Sequence, residues 1–287
     1  GADQVADEQQ GASDVKLEGS KFISVHPDQD SLSFYAPSAK YDLRKNIIFA
    51  NKIKHINVAD AMIYPDSGKA VIEKKAKMRP LDNSRIVANN VTQYHTIYEA
   101  NVKIKARRSY TATGKYNYKD ENKKIQTILF NDIAVDTTYQ TKASGKIVKE
   151  DGFTLSPNFE FEGEVFLRGV NKYLIFSGMT KILHPCEAIA TKGFKFTSEI
   201  DPDEIYIPID SSLVDEKNEK LAVGVVLNSD SAHIYSAFLS RYKKDSDIPV
   251  MTSRGYLYYN KQSSEYKISN KEKLNEISLP GNYVSIS

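Results

Sequence analysis

The chain predicts an all-β fold, and three observations carry that expectation. It holds 18 Tyr and 12 Phe with no Trp, and aromatic and β-branched residues suit a pleated, half-buried surface. Apolar and polar residues alternate with period two in run after run from Phe22 onward, the signature of strands with one buried and one solvated face. Turn-forming clusters separate these runs at short spacing, and no long amphipathic helix pattern interrupts them. The expected architecture is a β-solenoid or a stack of open β-jelly-roll repeats, with a second half that reads as a sandwich or capping region.

Taken in order, the first 20 residues carry five acids (Asp3, Asp7, Glu8, Asp14, Glu18) against Lys16 and no aromatic. That composition buries too little apolar surface to offset chain entropy, so residues 1–20 are expected to be a disordered leader or linker. The start at Gly-Ala, with no Met and no charged-then-apolar signal, suits a mature chain or a piece of something longer. A β-repeat region follows over residues 21–150. Within it Val102, Ile104 and Ala106 alternate with Lys103, Lys105 and Arg107, and Tyr116 and Tyr118 alternate with Lys115, Asn117 and Lys119. Turns are expected at Pro65 to Gly68, Asp82-Asn83, Asp120 to Asn122 and Asp151-Gly152. A second β region over residues 151–287 opens with Phe159, Phe161 and Gly163 alternating with Glu160, Glu162 and Glu164. It continues through turns at Ser156 to Asn158 and Asp201 to Asp203, a hairpin at Asp215 to Lys220, the apolar run Leu221 to Leu227, and one short helix near Asn270 to Ile277.

A cassette recurs along the first region. AKYDLRKNIIFANKI from Ala39 has relatives at Ala76 (AKMRPLDNSRIVANNV) and Gly114 (GKYNYKDENKKIQTILF), spaced by 37 and 38 residues. Weaker echoes start at Gly163 and Gly255. The shared form is a small residue, an aromatic or aliphatic strand, a polar turn and a second strand. Such a unit cannot cover its own apolar face, and stacked neighbours supply the cover. Lys40, Lys77 and Lys115 recur within it as an outward position.

Function classes can be excluded before any is chosen. No apolar run approaches the roughly 18 residues of a transmembrane helix. The leader leaves the body at about +6 of an overall +2, too weak a bias to imply nucleic acid. No G-x-S-x-G, P-loop or G-x-G-x-x-G occurs. The five histidines His26, His55, His95, His184 and His233 are scattered without a metal-binding pair, so no cofactor is expected. A lone Cys186 forms no intrachain disulfide and reads as a small buried residue.

Carboxylates remain to be weighed, because a glycosidase needs two of them about 5 to 10 Å apart. Asp132 with Asp136, Asp201 with Asp203 and Glu204, and Glu160 with Glu162 and Glu164 are the candidates; solvated faces and Asx turns explain the same patterns. Tyr94, Tyr98, Tyr256, Tyr258 and Tyr259 can stack on sugar rings or fill the core with a wet hydroxyl. The sharpest pattern is cationic: Lys75, Lys77 and Arg79 alternate, and Lys103, Lys105 and Arg107 repeat them 28 residues later. On two neighbouring strands these trios would form a basic ladder, with Arg108 beside it, that takes an anionic glycan or lipid headgroup. Outward lysines also keep β edges soluble.

The stretch FYAPSAKYDLRKNIIFANKIKHI, Phe34 to Ile56, resembles the OstA-like repeats of bacterial lipopolysaccharide-transport proteins. The resemblance implies a stacked, open-ended β-jelly-roll in the cell envelope. The chain also looks like a segment of the large exported repeat proteins of Bacteroidota-type bacteria. The expected function is therefore a non-catalytic, exported module, periplasmic or at the cell surface, serving as scaffold or binding surface for an amphiphile, glycan or envelope protein. The alternative is a carbohydrate-active enzyme, a lyase or glycosidase, on a β-helix or β-sandwich; a third reading is a lipid-chaperone groove.

Overall fold

The computed structural model describes residues 14–185, 191–275 and 284–286. The fold is all-β, organised in two compact units. The first runs up to Lys115 and takes in Asn131–Lys142; the second comprises Tyr116–Phe130 and everything from Ala143 onward.

The first unit holds β1 (Asp14–Ile23), β2 (Ser33–Asp42), β3 (Ile47–Asn51), β4 (Ile56–Val58), β5 (Ala61–Tyr64), β6 (Ala70–Ile72), β7 (Leu81–Ala88) and β8 (His95–Ala106). Strands β9 (Ser109–Lys119), β10 (Ile125–Val135) and β11 (Thr141–Ile147) are divided between the units. An antiparallel sheet runs in the order β1-β2-β3-β6. A second antiparallel series runs β4-β5-β7-β8. Residues 14–18 and Ser20, expected in the leader, pair with β2 instead: the alternating stretch SFYAPSAKYD offers an edge, and backbone pairing with it satisfies the amides that face it whatever the charge of the side chains. Residues 1–13 lie outside the described part.

Alternation predicts burial well where a ladder exists. On β8 Val102 and Ile104 are buried while Lys103 and Lys105 point outward. The Asp82-Asn83 turn is overturned. Both residues lie inside β7, where Asn83 takes a left-handed φ of 48° and the register slips between Leu81 and Ser84. The same local chemistry that makes a turn makes a β-bulge when both flanks pair with one strand.

Two of the three main cassettes are hairpins, β2–β3 at Ala39 and β9–β10 at Gly114. The copy at Ala76 begins in a 3-10 turn, Lys74–Ala76, and supplies only β7. Lys40, Lys77 and Lys115 are all exposed. The small first residue has a steric reason at Gly114, where a Cβ would come within 2.6 Å of Ile97 Cγ2.

The second unit adds β12 (Thr154–Ser156), β13 (Phe159–Arg168), β14 (Leu174–Ile182), β15 (Phe194–Ile200), β16 (Ile207–Ile209), β17 (Leu221–Leu227), β18 (Ile234–Arg241), β19 (Ile248–Thr252), β20 (Gly255–Asn260), β21 (Glu265–Ser269), the short helix α1 (Lys271–Asn275) and β22 (Val284–Ile286). β12, β13, β14 and β15 pair successively. Two further sheets run β16-β20-β21-β22 and β18-β17-β19. The core of this unit is aromatic: Phe153, Phe161, Phe176 and Tyr118 pack with centroids 5.1–6.4 Å apart. Cys186 lies outside the described residues.

One turn recurs in both units. Asp120, Asp136 and Asp215 each accept, through Oδ1, the amides two and four residues ahead. Each aspartate amide also donates to the carbonyl four residues on. The fourth residue, Lys123, Tyr139 or Asn218, takes a left-handed φ of 62–66°. Asp136, read above as a candidate catalytic carboxylate beside Asp132, is thus occupied as a turn closer, and Asp132 is exposed.

These bonds favour the ionised carboxylate. The Gln140 amide and then the Thr138 hydroxyl hold Asp136 below the usual 3.8. At Asp215 burial pushes the carboxyl up, and the Arg241 guanidinium with the Glu219 and Lys217 amides outweighs it. A carboxyl depressed on folding stabilises above its unfolded pKa, and that contribution is lost as pH falls through the lower folded value. Stability is therefore expected to drop as pH falls below about 3.8. Asp136→Asn keeps an acceptor oxygen without the titration, so a shallower acid limb in circular dichroism is the expected result; an unchanged limb would count against the turn's role.

Candidate functional site

The basic ladder is not built as expected. Lys75 sits in the Lys74–Ala76 turn with φ 59°, and the Glu73 amide closes on the Lys77 carbonyl at 2.8 Å. Lys75, Lys77 and Arg79 therefore share no strand, although all three are exposed. The physical reason lies in KKAKMRP: the Lys74–Ala76 turn interrupts it, so only its end returns to β6, through the Met78–Ile72 bridge and the Arg79 amide on the Val71 carbonyl, and Pro80 has no amide to donate. Lys103 and Lys105 do share the outward face of β8. Arg107 lies just past it, in the turn to β9, and together with Arg108 faces Asp30 at 3.4 Å.

The two basic segments meet through a residue that the alternation does not mark. Gln29, in the 3-10 turn Pro27–Gln29, donates from Nε2 to the Ala76 carbonyl at 2.7 Å. Its own carbonyl accepts the Arg107 amide at 3.0 Å. Gln29 is 8% exposed, and its buried Oε1 has no partner among the described residues. The bond to Ala76 settles the amide orientation, because a carbonyl oxygen can only accept.

Gln29 lines a cavity of about 390 Å³ in the first unit, within the range of small-molecule sites. The sheet order explains its walls. Phe22 lies opposite Phe34 on β1 and β2, their rings stacked at 5.3 Å. Tyr41, Ile48 and Ile72 form a cross-strand row over β2, β3 and β6. Leu32 and Met78 complete the apolar lining. The rim is charged: Glu73, Lys74 and Lys75 border the same cavity. Glu73 is held by Arg79 at 2.7 Å, whereas neither Lys74 nor Lys75 has a partner among the described residues. The site thus offers an apolar interior and two free cations.

Four of the lining residues, Phe34, Tyr41, Asn46 and Ile48, come from the stretch Phe34 to Ile56, but only folding brings Phe34, Ile48 and Ile72 together. The available signal was the apolar run Ile47-Ile48-Phe49 opposite Tyr41 across the Asp42 turn. That turn is closed by Asp42 Oδ1 accepting the Arg44 and Lys45 amides at 3.0 Å.

Carboxylates converge elsewhere. Glu160, Glu162, Asp215 and Glu216 border a cavity of about 220 Å³ in the second unit, together with Lys149, Lys181 and Lys192. Glu164 is exposed, and Asp201 closes an Asx turn by accepting the Asp203 amide at 3.0 Å. Of the tyrosines, Tyr94 and Tyr98 are exposed, Tyr258 stacks on Tyr206 at 5.0 Å, and Tyr259 packs on Tyr266 at 4.9 Å. Among the described residues no group of three His, Cys, Asp or Glu is placed to hold a metal, and no helix is long and apolar enough to cross a membrane. Compared with protein-family models, curated proteins and solved structures, the chain matches none.

Proposed function

We propose that the chain is a non-catalytic binding module for an amphiphile, whose apolar chain enters the cavity of the β1-β2-β3-β6 sheet and whose anionic end meets Lys74 and Lys75. The observation that carries this is the combination of aliphatic and aromatic walls with an unpaired cationic rim. Burial of an acyl chain supplies affinity in proportion to the area removed from water. The rim adds orientation and charge-assisted contacts. Lys75 thereby keeps a binding role, whereas Lys77, Arg79, Lys103, Lys105 and Arg107 lie outside the cavity lining. The OstA-like cassette supports an exported bacterial setting, periplasmic or at the cell surface. The hairpin form of the copies at Ala39 and Gly114 supports a stacked, repetitive β architecture.

A fluorescent fatty-acid analogue tests the reading. Binding to the wild type is expected to raise its emission. Ile48→Trp, which fills the cavity from β3, is expected to abolish the rise, and joint reversal of Lys74 and Lys75 to Glu to weaken binding and flatten its salt dependence. An identical titration for Ile48→Trp sinks the proposal. A carbohydrate-active enzyme is the second reading, favoured by Glu160, Glu162 and Glu216 around the 220 Å³ cavity, where Asp215 is taken up by its turn and by Arg241; reducing ends released from a polysaccharide panel would support it.

A further inference from the structure

A third cavity, of about 380 Å³, lies wholly within the second unit, beneath the Asn260 end of β20. Its chemistry differs from that of the amphiphile cavity. Tyr258 and Tyr259 both border it, from opposite faces of β20, and Tyr206 backs the Tyr258 ring in a near-parallel stack, 19° between planes. The Tyr258 and Tyr259 hydroxyls and the exposed Gln262 amide have no hydrogen-bond partner among the described residues. Three carboxylates line the same space, each already engaged: Glu121 by Lys261 at 2.8 Å, Asp203 by Lys123 at 3.2 Å, and Glu204 by the Tyr206 hydroxyl at 2.9 Å. Held in this way, each keeps lone pairs to spare.

We infer that this cavity is a subsite for a neutral glycan. A sugar ring presents an apolar C–H face and a rim of hydroxyls that both donate and accept. Flat tyrosine surface, free hydroxyls, a free amide and carboxylates with spare lone pairs match those two demands together. Three acids against Lys123 and Lys261 leave the rim slightly negative, which disfavours an anionic polysaccharide. An acyl chain is disfavoured too, because it would strand the polar groups without partners. The bracing of each carboxylate lowers the ordering cost that a flexible side chain adds to binding. The subsite is independent of the amphiphile reading, since no residue of one lines the other.

Native gel electrophoresis of the full chain, in gels carrying a soluble neutral glucan, mannan or galactan and with alginate as the anionic control, tests this. Retardation by at least one neutral polysaccharide and none by alginate is expected. Tyr258→Ala is expected to weaken the retarding interaction about tenfold, and Gln262→Ala, on an exposed side chain that spares the fold, to weaken it measurably. Migration unaffected by every neutral polysaccharide overturns the inference. So does retardation by alginate alone, or retardation that Gln262→Ala leaves unchanged.

Discussion

Truncating Phe176 to alanine is expected to destabilise the second unit by about 3–5 kcal/mol. The side chain is fully buried on β14. Its ring meets Tyr118 at 5.6 Å, Phe153 at 6.1 Å and Phe161 at 5.1 Å, two of them edge-on. Removing it deletes transfer free energy and leaves a void that rigid aromatic neighbours cannot collapse into. Backbone pairing from Phe176 to Val165 and Ser198 remains, so the strand order should survive and the loss should appear as a lower denaturation midpoint. Urea unfolding followed by far-UV circular dichroism measures it. Phe196→Ala, at the cluster's edge with 7% exposure, should cost less; equal costs, or a Phe176 loss under about 1 kcal/mol, would show that the cluster is not the unit's centre.

The second large effect concerns ligand length. Each methylene buried in an apolar cavity contributes about 0.8 kcal/mol, close to a fourfold change in Kd. Shortening a saturated fatty acid from dodecanoate to octanoate removes four methylenes and is expected to weaken binding roughly 200-fold, if all four are buried between Phe22, Phe34, Ile48 and Ile72. Calorimetric titration of the homologous series, or displacement of the fluorescent analogue, gives the slope. The slope should flatten once the chain outgrows the cavity. A series with no dependence on length, or one that depends on charge alone, would leave only the lysine rim and remove the apolar site from the proposal.

Legibility varied with the range of the interactions involved. Alternation in NVKIKAR showed which face of β8 is buried, because a period-two pattern on a paired strand leaves the side chains no other arrangement. The same reasoning failed at KKAKMRP, where the pattern is just as regular but a 3-10 turn at Lys74–Ala76 breaks the strand and leaves only Met78 and Arg79 to pair with β6. DENKK, DTTYQ and DEKNE form one turn, and the Asp at the head of each is its visible mark; Asp136 was nonetheless open to a catalytic reading, since a carboxylate spent on backbone amides is written like any other. Gln29 left no trace in periodicity. Its burial follows from contacts to Ala76 and Arg107, 47 and 78 positions away in number.

By itself the sequence determined the class of the protein: strands, because Tyr, Phe and β-branched residues alternate with charge; short turns, because Asp, Asn, Gly and Pro punctuate them; and outward lysines within each cassette. These are local properties, set within a few residues by backbone sterics and by which side chains tolerate water. Only the tertiary structure decided the site. Whether Lys75 stands on a strand or at a cavity mouth, whether Glu73 is free or held by Arg79, and whether Phe22 meets Phe34 all depend on strand pairing and register. Those are chosen by the summed burial of residues distant in the chain, and no short window of sequence contains that sum.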